Sequence, residues 1–239
     1  MILNSSKTYA EVASFAKRHN ITHPFITENG SVIYVPRNYF DFSFENYELR
    51  DNYHKIVLGS NVQALENFLD LKRIKHYAKN CTFLHQMNIK EALNATNLNS
   101  KNIKLSLERE HSLPFLWKGT TSQLENFKDL AKKSNKKIVL GGRVFHITGD
   151  SDKGIALDHV RSLYLKAIRK KIITIALGDS ENDLKMFQKS DIIGFIKNKR
   201  KIELNLKEFE KIFYSSKPAP EGWKEVILRM KLTRRKAEE

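Results

Sequence analysis

The clearest apolar pattern in the chain runs from residue 172 to 177, where IITIAL holds six apolar or small residues rich in Ile and Thr. A short continuous apolar run that ends at a glycine is typical of a buried, parallel β-strand. Gly178 is predicted to turn the chain, and Glu181 to Phe187 has the spacing of a short helix. Asp179 is therefore expected at the carboxyl end of a buried strand, where open α/β sheets bind their ligands.

Two interpretations of Asp179 are open. Gly-Asp-Ser before a helix is ordinary capping chemistry, and Ser180 with Asp183 three residues later fits a capping pattern. A carboxylate in this position can also hold a hard cation such as Mg²⁺. The spacing Gly178-Asp179-x-x-Asn182-Asp183 favours the cation, because it gathers more polar and acidic groups at the strand end than a cap requires.

A similar strand end lies near the start of the chain. Two apolar residues are followed, after a polar loop, by a capping box of Thr8 with Glu11, which predicts a helix over about residues 9–19. Free backbone N–H groups at a helix start favour phosphate oxygens, so Ser5 is a candidate phosphate contact. The alternative is that the hydroxyl groups of this loop only start the helix.

The middle of the chain has a different pattern. A long amphipathic helix is predicted from Ser60 to about Lys79, and two strands, 137–140 and 143–147, are predicted to form a hairpin joined by Gly141-Gly142. Strands followed by helices and closed by a hairpin suggest an α+β module on one antiparallel sheet. Asp152 then opens a helix to about Arg169, after which the strand–helix alternation returns.

This change of pattern predicts an α/β protein with two domains. Residues 1–45 and 149–239 would form the α/β core, and residues 46–148 would form an inserted α+β domain. The composition is compatible with this size, because 239 residues with 41% hydrophobic residues can bury a real core.

Composition also narrows the possible settings. No apolar stretch approaches the roughly 20 residues of a membrane span, and the first residues show no signal-peptide pattern. The single cysteine, Cys81, excludes an internal disulfide framework. We therefore expect a reducing, cytoplasmic location.

The formal net charge of +15 permits three interpretations: nucleic-acid binding, an acidic small substrate, or a lysine-rich bias without specific meaning. The lysines are spread along the whole chain, and no basic cluster forms a recognition helix, a zinc finger or an aromatic-interleaved strand. Nucleic acid is therefore not expected as the partner.

Several stretches together resemble one family. The 178–183 pattern is similar to the fourth signature motif of the haloacid dehalogenase phosphatases. GGRVFHITGDSDKGIAL (141–157) looks like the hairpin-plus-lysine signature of the mannosyl-3-phosphoglycerate phosphatases, and NSSKTYAEV, FITENGSVIYVP, EREHSLPFLW and KPAPEGWKEVI also resemble theirs, in the right order over residues 1 to about 231. The resemblance implies a Rossmann-like parallel-sheet core with residues 46–148 as a cap that covers the site and recognises the substrate.

The resemblance also implies roles for single residues. The candidate catalytic residues are Ser5, which would hydrogen-bond the transferring phosphoryl group, and Lys153, which would neutralise its charge. The cofactor would be Mg²⁺, bound by Asp179 with Asn182 and Asp183 in support. A lysine at a helix start is unfavourable for the helix dipole, which further favours a functional role for Lys153.

Candidate substrate-binding residues come from the same motifs: Lys7, Glu28 and Asn29 in the core, and Arg109, Ser112, Arg143 and His146 in the cap. The ammonium of lysine and the planar guanidinium of arginine both suit phosphate or carboxylate groups. Arg143 and His146 alternate on the predicted hairpin strand, so the alternative for them is a solvated face.

The chain departs from the family pattern in two places. Leu113 stands where the family has Glu in the cap signature, which would weaken or shift sugar-phosphate recognition. The family also begins with a strand that ends in Asp-x-Asp, the nucleophile and the general acid, and no apolar strand here carries that pair. Asp150-Ser151-Asp152 has the spacing but belongs to the turn before a helix.

From this second departure we expect that about 30 to 40 residues, one strand and one helix, are missing before Met1. In the family, that strand lies between the ones that end here at Leu3 and Leu177, so both would lose a neighbour.

The resemblance thus implies a Mg²⁺-dependent phosphatase that hydrolyses the phosphate ester of mannosyl-3-phosphoglycerate, or of a glucosyl analogue, to give mannosylglycerate or its glucosyl counterpart. Two alternatives stay open: a broader sugar-phosphate phosphatase with the same cap, and an inactive relative that binds a sugar phosphate without turnover. The expected partner is a small-molecule sugar phosphate, and the oligomeric state is not predicted.

Overall fold

The computed structural model describes residues 1–44, 47–198, 209 and 211–230. In chain order, its strands are β1 Leu3–Asn4, β2 Phe25–Thr27, β3 Val32–Pro36, β4 Glu48–Arg50, β5 Tyr53–Val57, β6 Cys81–Phe83, β7 Ser112–Trp117, β8 Lys137–Leu140, β9 Phe145–Thr148, β10 Ile175–Gly178, β11 Ile192–Lys197 and β12 Ile212–Pro218. Its α-helices are α1 Tyr9–Arg18, α2 Val62–Leu69, α3 Lys72–Ala78, α4 Ile89–Thr96, α5 Ser100–Leu107, α6 Thr121–Lys132, α7 Lys153–Ile168, α8 Leu184–Phe187 and α9 Glu221–Arg229. None of these helices is both long and apolar enough to cross a membrane.

The described strands form three sheets. One has the order β1-β2-β3-β5-β4, with β1 and β2 parallel and the other neighbours antiparallel. The second, β10-β11-β12, is wholly parallel, and the third, β6-β7-β9-β8, is wholly antiparallel. The predicted α/β fold with a parallel-sheet core and an α+β cap is confirmed.

The five-stranded sheet is covered on both faces, as expected for an α/β layer. Helix α1 packs Tyr9 and Val12 on one face, against Phe25, Val32 and Tyr34. Helix α7 packs on the other face, where its buried Ala156 and Val160 meet residues of β2, β3 and β5. Because α7 also contacts α8, it joins the five-stranded sheet to the three-stranded one.

Strands β1 and β10 are each the edge of their sheet, and in the described residues they are not paired with each other. Asn4 links the two sides instead: its Nδ2 donates to the carbonyl oxygen of Lys153 at 3.0 Å and lies 3.5 Å from Sδ of Met186. The loops that follow these two strands hold Ser5 and Asp179, so the candidate site lies where the two sheets meet.

The cap is built on the antiparallel sheet. Helices α2, α3 and α6 cover one face, and their core includes Leu65, Ile74 and Phe127 together with Phe115 and Ile147 of the sheet. Residues alternate across a strand, so Ser112 and His146 point to the opposite face. That face is turned towards the core, because Ser112 Oγ donates to Glu28 Oε2 of the core at 2.6 Å.

The helix predicted over residues 60–79 is in fact two helices, with a break at residues 70 and 71. Leu65 and Ile74 are nine residues apart, which would put them about 180° apart on one continuous helix. Both are fully buried in the same cap core. The break turns the second helix so that Ile74 also reaches the core.

Two predicted strands start later than expected. Strand β10 begins at Ile175, because the backbone around Thr174 is bonded to Asp191 at the start of its neighbour strand, and Ile173 is exposed. Strand β9 begins at Phe145, because the Gly141 N–H donates to the Val144 carbonyl and makes the hairpin connection four residues long. The predicted two-residue Gly141-Gly142 turn is therefore wrong.

The domain division stays a prediction, but its first boundary needs to move. Strands β4 and β5 pair with β3, so residues 48–57 lie in the core sheet and not in the cap. The crossings between core and cap follow Val57 and Thr148. There the chain is tight, because a Cβ on Gly149 would lie 2.4 Å from the backbone nitrogen of Ser60.

Candidate functional site

The corner after β10 shows how Asp179 and Asp183 are used. Asp183 folds back, and its Oδ2 accepts hydrogen bonds from the backbone of Asp179 and Ser180 at 3.0 and 3.1 Å and from Ser180 Oγ at 3.0 Å. Gly178 makes room for this, because a Cβ there would lie 2.5 Å from Asp183 Cγ. The capping role thus belongs to Asp183, and the Asp179 carboxylate remains outside the cap.

Lys153 meets this corner from α7. Its buried Nζ lies 2.7 Å from Asp183 Oδ1, so the two form a buried ion pair. The lysine is placed by Asp152, the N-cap of α7, whose Oδ1 accepts from the backbone of Gly154 and Ile155 at 2.9 Å. Asp152 Oδ2 also accepts from Lys137 at 2.8 Å. Asp152 is therefore engaged by the start of α7 and by Lys137, which agrees with the placement of Asp150-Ser151-Asp152 in the turn before a helix.

The Asp179 carboxylate lies in an environment that disfavours its negative charge. Burial, and then the neighbouring charge of Asp183, raise the pKa of Asp179 above its ordinary value despite the opposing effect of Lys153. Asn198 partly stabilises the Asp179 carboxylate, because its Nδ2 donates to Asp179 Oδ2 at 3.1 Å and to the Asp179 carbonyl at 2.9 Å.

Asn198 is a site residue that the sequence analysis missed. It follows directly after β11, the parallel neighbour of β10. Polar residues at the carboxyl ends of adjacent parallel strands meet at the same sheet edge, and this signal was available in the sequence.

The loop after β1 is fastened to the loop after β2. The Ser5 N–H donates to the Ile26 carbonyl at 3.1 Å, and the Asn29 N–H donates to the Ser5 carbonyl at 3.0 Å. Asn29 has a left-handed backbone, with φ of 60°, and its Oδ1 accepts from Asn182 Nδ2 at 2.9 Å. Asn29 Nδ2 is buried with no partner among the described residues, so it can donate to a ligand.

Ser5 borders a cavity of about 260 Å³ between β1, α1 and α5, which Lys7 and Arg18 also line. Lys7 is exposed and pairs with Glu11 of α1 at 2.8 Å. The cavity therefore places the candidate phosphate-binding hydroxyl beside open space with two cationic side chains in its wall.

Three cap residues reach the core. The side chain of Arg109 is 11% exposed, and its Nη1 donates to the Ser6 carbonyl at 2.9 Å and to Ser112 Oγ at 3.0 Å. Burial, together with the charges of Arg109 and Lys153, holds the pKa of His146 well below its usual value. Both cations are therefore close to this histidine, and they bring the cap face and the Lys153 corner to one place.

Glu28 connects the core side of the site to the cap. Its Oε1 accepts from the Glu110 N–H at 3.1 Å, and its Oε2 accepts from the His111 N–H at 3.1 Å and from Ser112 Oγ at 2.6 Å. The carboxylate is buried and is used by these three cap donors. Glu28 therefore holds cap residues 110–112 against the core.

Arg143 is the exposed residue among the cap candidates. It lies in the hairpin connection between β8 and β9 and is exposed, whereas His146 is buried on β9. The two therefore do not alternate on one strand as the sequence pattern predicted. A role for Arg143 in substrate binding stays a prediction.

The donor set at the corner fits Mg²⁺ better than a metal that needs a complete protein cage. In the described part of the chain, no group of three or more His, Cys, Asp and Glu side chains could hold a metal ion. Mg²⁺ usually takes one or two carboxylates and completes its shell with water and phosphate oxygens. Asp179, half-buried and short of positive charge, matches that requirement.

Comparison with known proteins identifies the family. The model of the haloacid dehalogenase-like hydrolases matches residues 1–209. The chain belongs to the haloacid dehalogenase-like hydrolase family. The enzyme class of this hydrolase is that of the phosphoric monoester hydrolases.

Curated relatives of this hydrolase confirm the resemblance seen in the motifs. A glucosyl-3-phosphoglycerate/mannosyl-3-phosphoglycerate phosphatase of Persephonella marina is 30% identical over 96% of the chain and 84% of the relative. A mannosyl-3-phosphoglycerate phosphatase of Pyrococcus furiosus is 34% identical over 82% of the chain and 75% of the relative.

Solved structures agree on the fold. A Thermoplasma acidophilum protein has a TM-score of 0.63 at 18% identity, covering 97% of this chain and 82% of its own. A haloacid dehalogenase-like hydrolase from B. subtilis has a TM-score of 0.62 at 14% identity, covering 97% and 86%. At these identities the likeness supports the fold and not a substrate.

Proposed function

We propose that this hydrolase is a Mg²⁺-dependent phosphatase that acts on mannosyl-3-phosphoglycerate or its glucosyl analogue. The products would be mannosylglycerate, or its glucosyl counterpart, and inorganic phosphate. The observation that carries the proposal is the meeting of the Lys153–Asp183 pair and Asp179 with the cap residues Arg109 and His146. The names of the curated relatives supply the substrate.

The core residues would hold and neutralise the phosphate. Asp179 would bind Mg²⁺ with Asn182 and Asp183 in support, and the bound ion would offset the charge of the phosphoryl oxygens. Asp183 fixes the position of the Lys153 ammonium through their ion pair. Ser5 after β1 and Asn29 after β2 would supply hydrogen-bond donors from the five-stranded sheet. Phosphoryl transfer asks mainly for such positioning and charge neutralisation.

The cap residues would bind the remainder of the substrate. Arg109 lines a cavity of about 100 Å³ with Ser112, and its Nε is buried with no partner among the described residues. A guanidinium with a free donor suits a carboxylate or phosphate oxygen. Because His146 is held neutral, its ring can donate one hydrogen bond to a substrate hydroxyl without adding charge.

Leu113 favours a second candidate, a broader sugar-phosphate phosphatase. Its side chain packs in the cap core opposite Ile147 of β9 and also lines the cavity beside Arg109 and Ser112. An apolar side chain in that wall cannot accept a hydrogen bond as the Glu of the family could, which would relax recognition of the substrate.

A third candidate binds the sugar phosphate without turnover. It is favoured by the sequence itself, because no apolar strand of the printed chain ends in Asp-x-Asp, and Asp152 of the one similar triplet caps α7. Without a carboxylate nucleophile the remaining residues can bind and orient a phosphate ester but cannot form a covalent intermediate.

One experiment separates the three candidates. Phosphate release with Mg²⁺ is measured on mannosyl-3-phosphoglycerate, its glucosyl analogue and a panel of simple sugar phosphates, and calorimetry measures binding of each. The assay uses the 239-residue protein and the product of the reading frame extended upstream of Met1.

Selective release of phosphate from the glycosyl phosphoglycerates supports the main proposal, and activity of the extended protein alone would assign the nucleophile to the added residues. Equal rates across the panel support the broader phosphatase, and binding without release by either protein supports the third candidate. The main proposal is refuted if neither protein binds a glycosyl phosphoglycerate.

We also propose a cytoplasmic location and a small-molecule partner. Because the net charge is +15, nucleic-acid binding is the alternative that needs a test. Specific binding of nucleic acid would weaken steeply as the salt concentration rises. Tight, salt-sensitive binding of duplex DNA or RNA would contradict the proposal, as would recovery of the protein with the membrane fraction.

A further inference from the structure

A charged cluster at the junction of core and cap is not used by the proposed chemistry. Glu110, just before β7, is bonded through Oε1 to Arg50 of β4 and through Oε2 to Lys55 of β5, the latter at 2.9 Å. Strands β4 and β5 belong to the core sheet, and the chain crosses into the cap directly after β5. The side chain of Glu110 therefore ties the returning cap chain to the core hairpin.

The backbone of the same segment is held by a different core residue. The N–H groups of Glu110 and His111 both donate to the Glu28 carboxylate at 3.1 Å. In addition, the Glu110 carbonyl accepts from the Val62 N–H at 2.8 Å. Residues 109–112 are therefore fixed from two sides, by Glu28 on the backbone and by two cations on the side chain of Glu110.

Glu110 is charged, and one of its two partners is also held by a second contact. Burial alone would raise the pKa of Glu110, but hydrogen bonds from Lys55 and the charge of Arg50 outweigh it and lower the pKa, so the carboxylate is ionised at neutral pH. Arg50 is also stacked on the ring of Tyr9, 4.2 Å from its centroid. The guanidinium therefore has a second support besides Glu110.

Arg109 and Ser112 flank this attachment point. Arg109 reaches into the site through contacts with Ser6 and Ser112, and a sequence neighbour of a fixed residue has little freedom of its own. A shift of Glu110 would move the buried guanidinium relative to Lys153 and His146, whose positions depend on α7 and β9 instead.

We propose that Arg50 and Lys55 are positioning residues, which act through Glu110 to set the guanidinium of Arg109 and the hydroxyl of Ser112 for the phosphate-bearing ligand. This inference rests on the proposed function of the site. The competing explanation is that the cluster only stabilises the fold, and the test has to separate the two.

Hydrogen exchange tests the positioning without a ligand. Glu110→Gln keeps the shape and loses the charge, so amide exchange over residues 105–117 should become about tenfold faster, while residues 121–132 of α6, whose amides are bonded within that helix, stay unchanged. Glu48→Gln is the matched control, because Glu48 is 68% exposed and lies 3.6 Å from the same Lys55 without touching the segment. It should change neither region.

Ligand binding tests whether the positioning acts through Arg109. Calorimetry with inorganic phosphate and with mannosyl-3-phosphoglycerate compares wild type, Glu110→Gln, Arg109→Met and the double variant. Glu110→Gln should weaken binding about tenfold in the wild-type background and less than twofold when Arg109 is already replaced. Lys55→Met should repeat this loss from the core side, and Lys55→Arg should restore most of it.

The outcomes are distinct. Equal weakening in both backgrounds, or unchanged exchange over residues 105–117, would overturn this inference while leaving the proposed function intact. Failure of the wild type to bind either probe would overturn the proposed function and this inference together.

Discussion

The buried pair of Lys153 and Asp183 makes the sharpest prediction about stability. Their side chains are 7% and 5% exposed and their charged atoms lie 2.7 Å apart. Removing one partner of a buried pair leaves an uncompensated charge and costs about 3–5 kcal/mol. Asp183→Asn should reach that range, because an amide must turn its NH₂ group either towards Lys153 or towards the three donors of Ser180 and Asp179.

The lysine variant should behave differently. Lys153→Met leaves the Asp183 carboxylate with its three other donors, so we expect a loss of about 1.5–3 kcal/mol, the worth of one charge-assisted hydrogen bond. In the double variant no unpaired ammonium remains, and the loss should be smaller than the sum of the single losses by about 1–3 kcal/mol.

Urea unfolding in EDTA measures these free energies, and the Asp183→Asn melting temperature should fall by about 6–20 °C. Glu125→Gln is the control, because its ion pair with Lys128 has a similar length of 2.9 Å but is exposed, and no measurable loss is expected there. Additive losses in the double variant, or a loss below about 1 kcal/mol for Asp183→Asn, would refute the reasoning.

Three further predictions concern other parts of the chain. The pKa of Asp179 is higher in the folded protein than in the unfolded chain, so ionisation of Asp179 lowers the stability once the pH exceeds its pKa in the unfolded chain. Asp179→Asn should therefore have a higher melting temperature than wild type at pH 7 without metal. Mg²⁺ at about ten times its Kd should raise the wild-type melting temperature by about 3–6 °C and leave that variant unchanged, and a variant that still responds would contradict the assignment. Gly30→Ala should fold poorly, as judged by circular dichroism, because φ is +93° and the new Cβ would lie 2.1 Å from the Asp152 carbonyl oxygen; native stability would contradict this. Burial raises the pKa of Cys81 to about 12, so the native thiol should react with a disulfide reagent at pH 8 far more slowly than the unfolded chain, and equal rates would show that the thiol is exposed.

The features that depend on near neighbours could be predicted well from the sequence. The capping box of Thr8 with Glu11 forms as expected, and Asp152 starts α7. Asp179 lies at the end of a parallel strand as the apolar run indicated, although that strand is three residues shorter at its start. Caps and strand ends are set within three or four residues, so a local pattern contains the needed information.

Other features depend on residues far apart in the sequence. Asp183 binds Lys153, and Asn182 binds Asn29, across separations that no local pattern reports. The local pattern predicted the cap of Ser180 with Asp183, and the resemblance to a family made these residues candidates, but neither showed that the other oxygen of Asp183 binds Lys153.

The cap shows the same limit. The exposed position of Arg143 contrasts with the buried position of Arg109 against Ser6, although both are arginines in motifs of the cap. Glu110 lies in the EREHSLPFLW stretch that resembles a cap motif, but nothing in that stretch indicated its pairing with Arg50 and Lys55 from a hairpin of the core.

The sequence by itself therefore determined the fold class, many of the helices and strands, and the family, because these follow from short-range patterns and from motifs in a fixed order. Only the tertiary structure decided which charges meet. That choice depends on how the sheets and the cap pack, and packing sums many weak contacts between distant residues. At this site those contacts place Asp179 outside its own cap and Arg109 inside the core–cap junction.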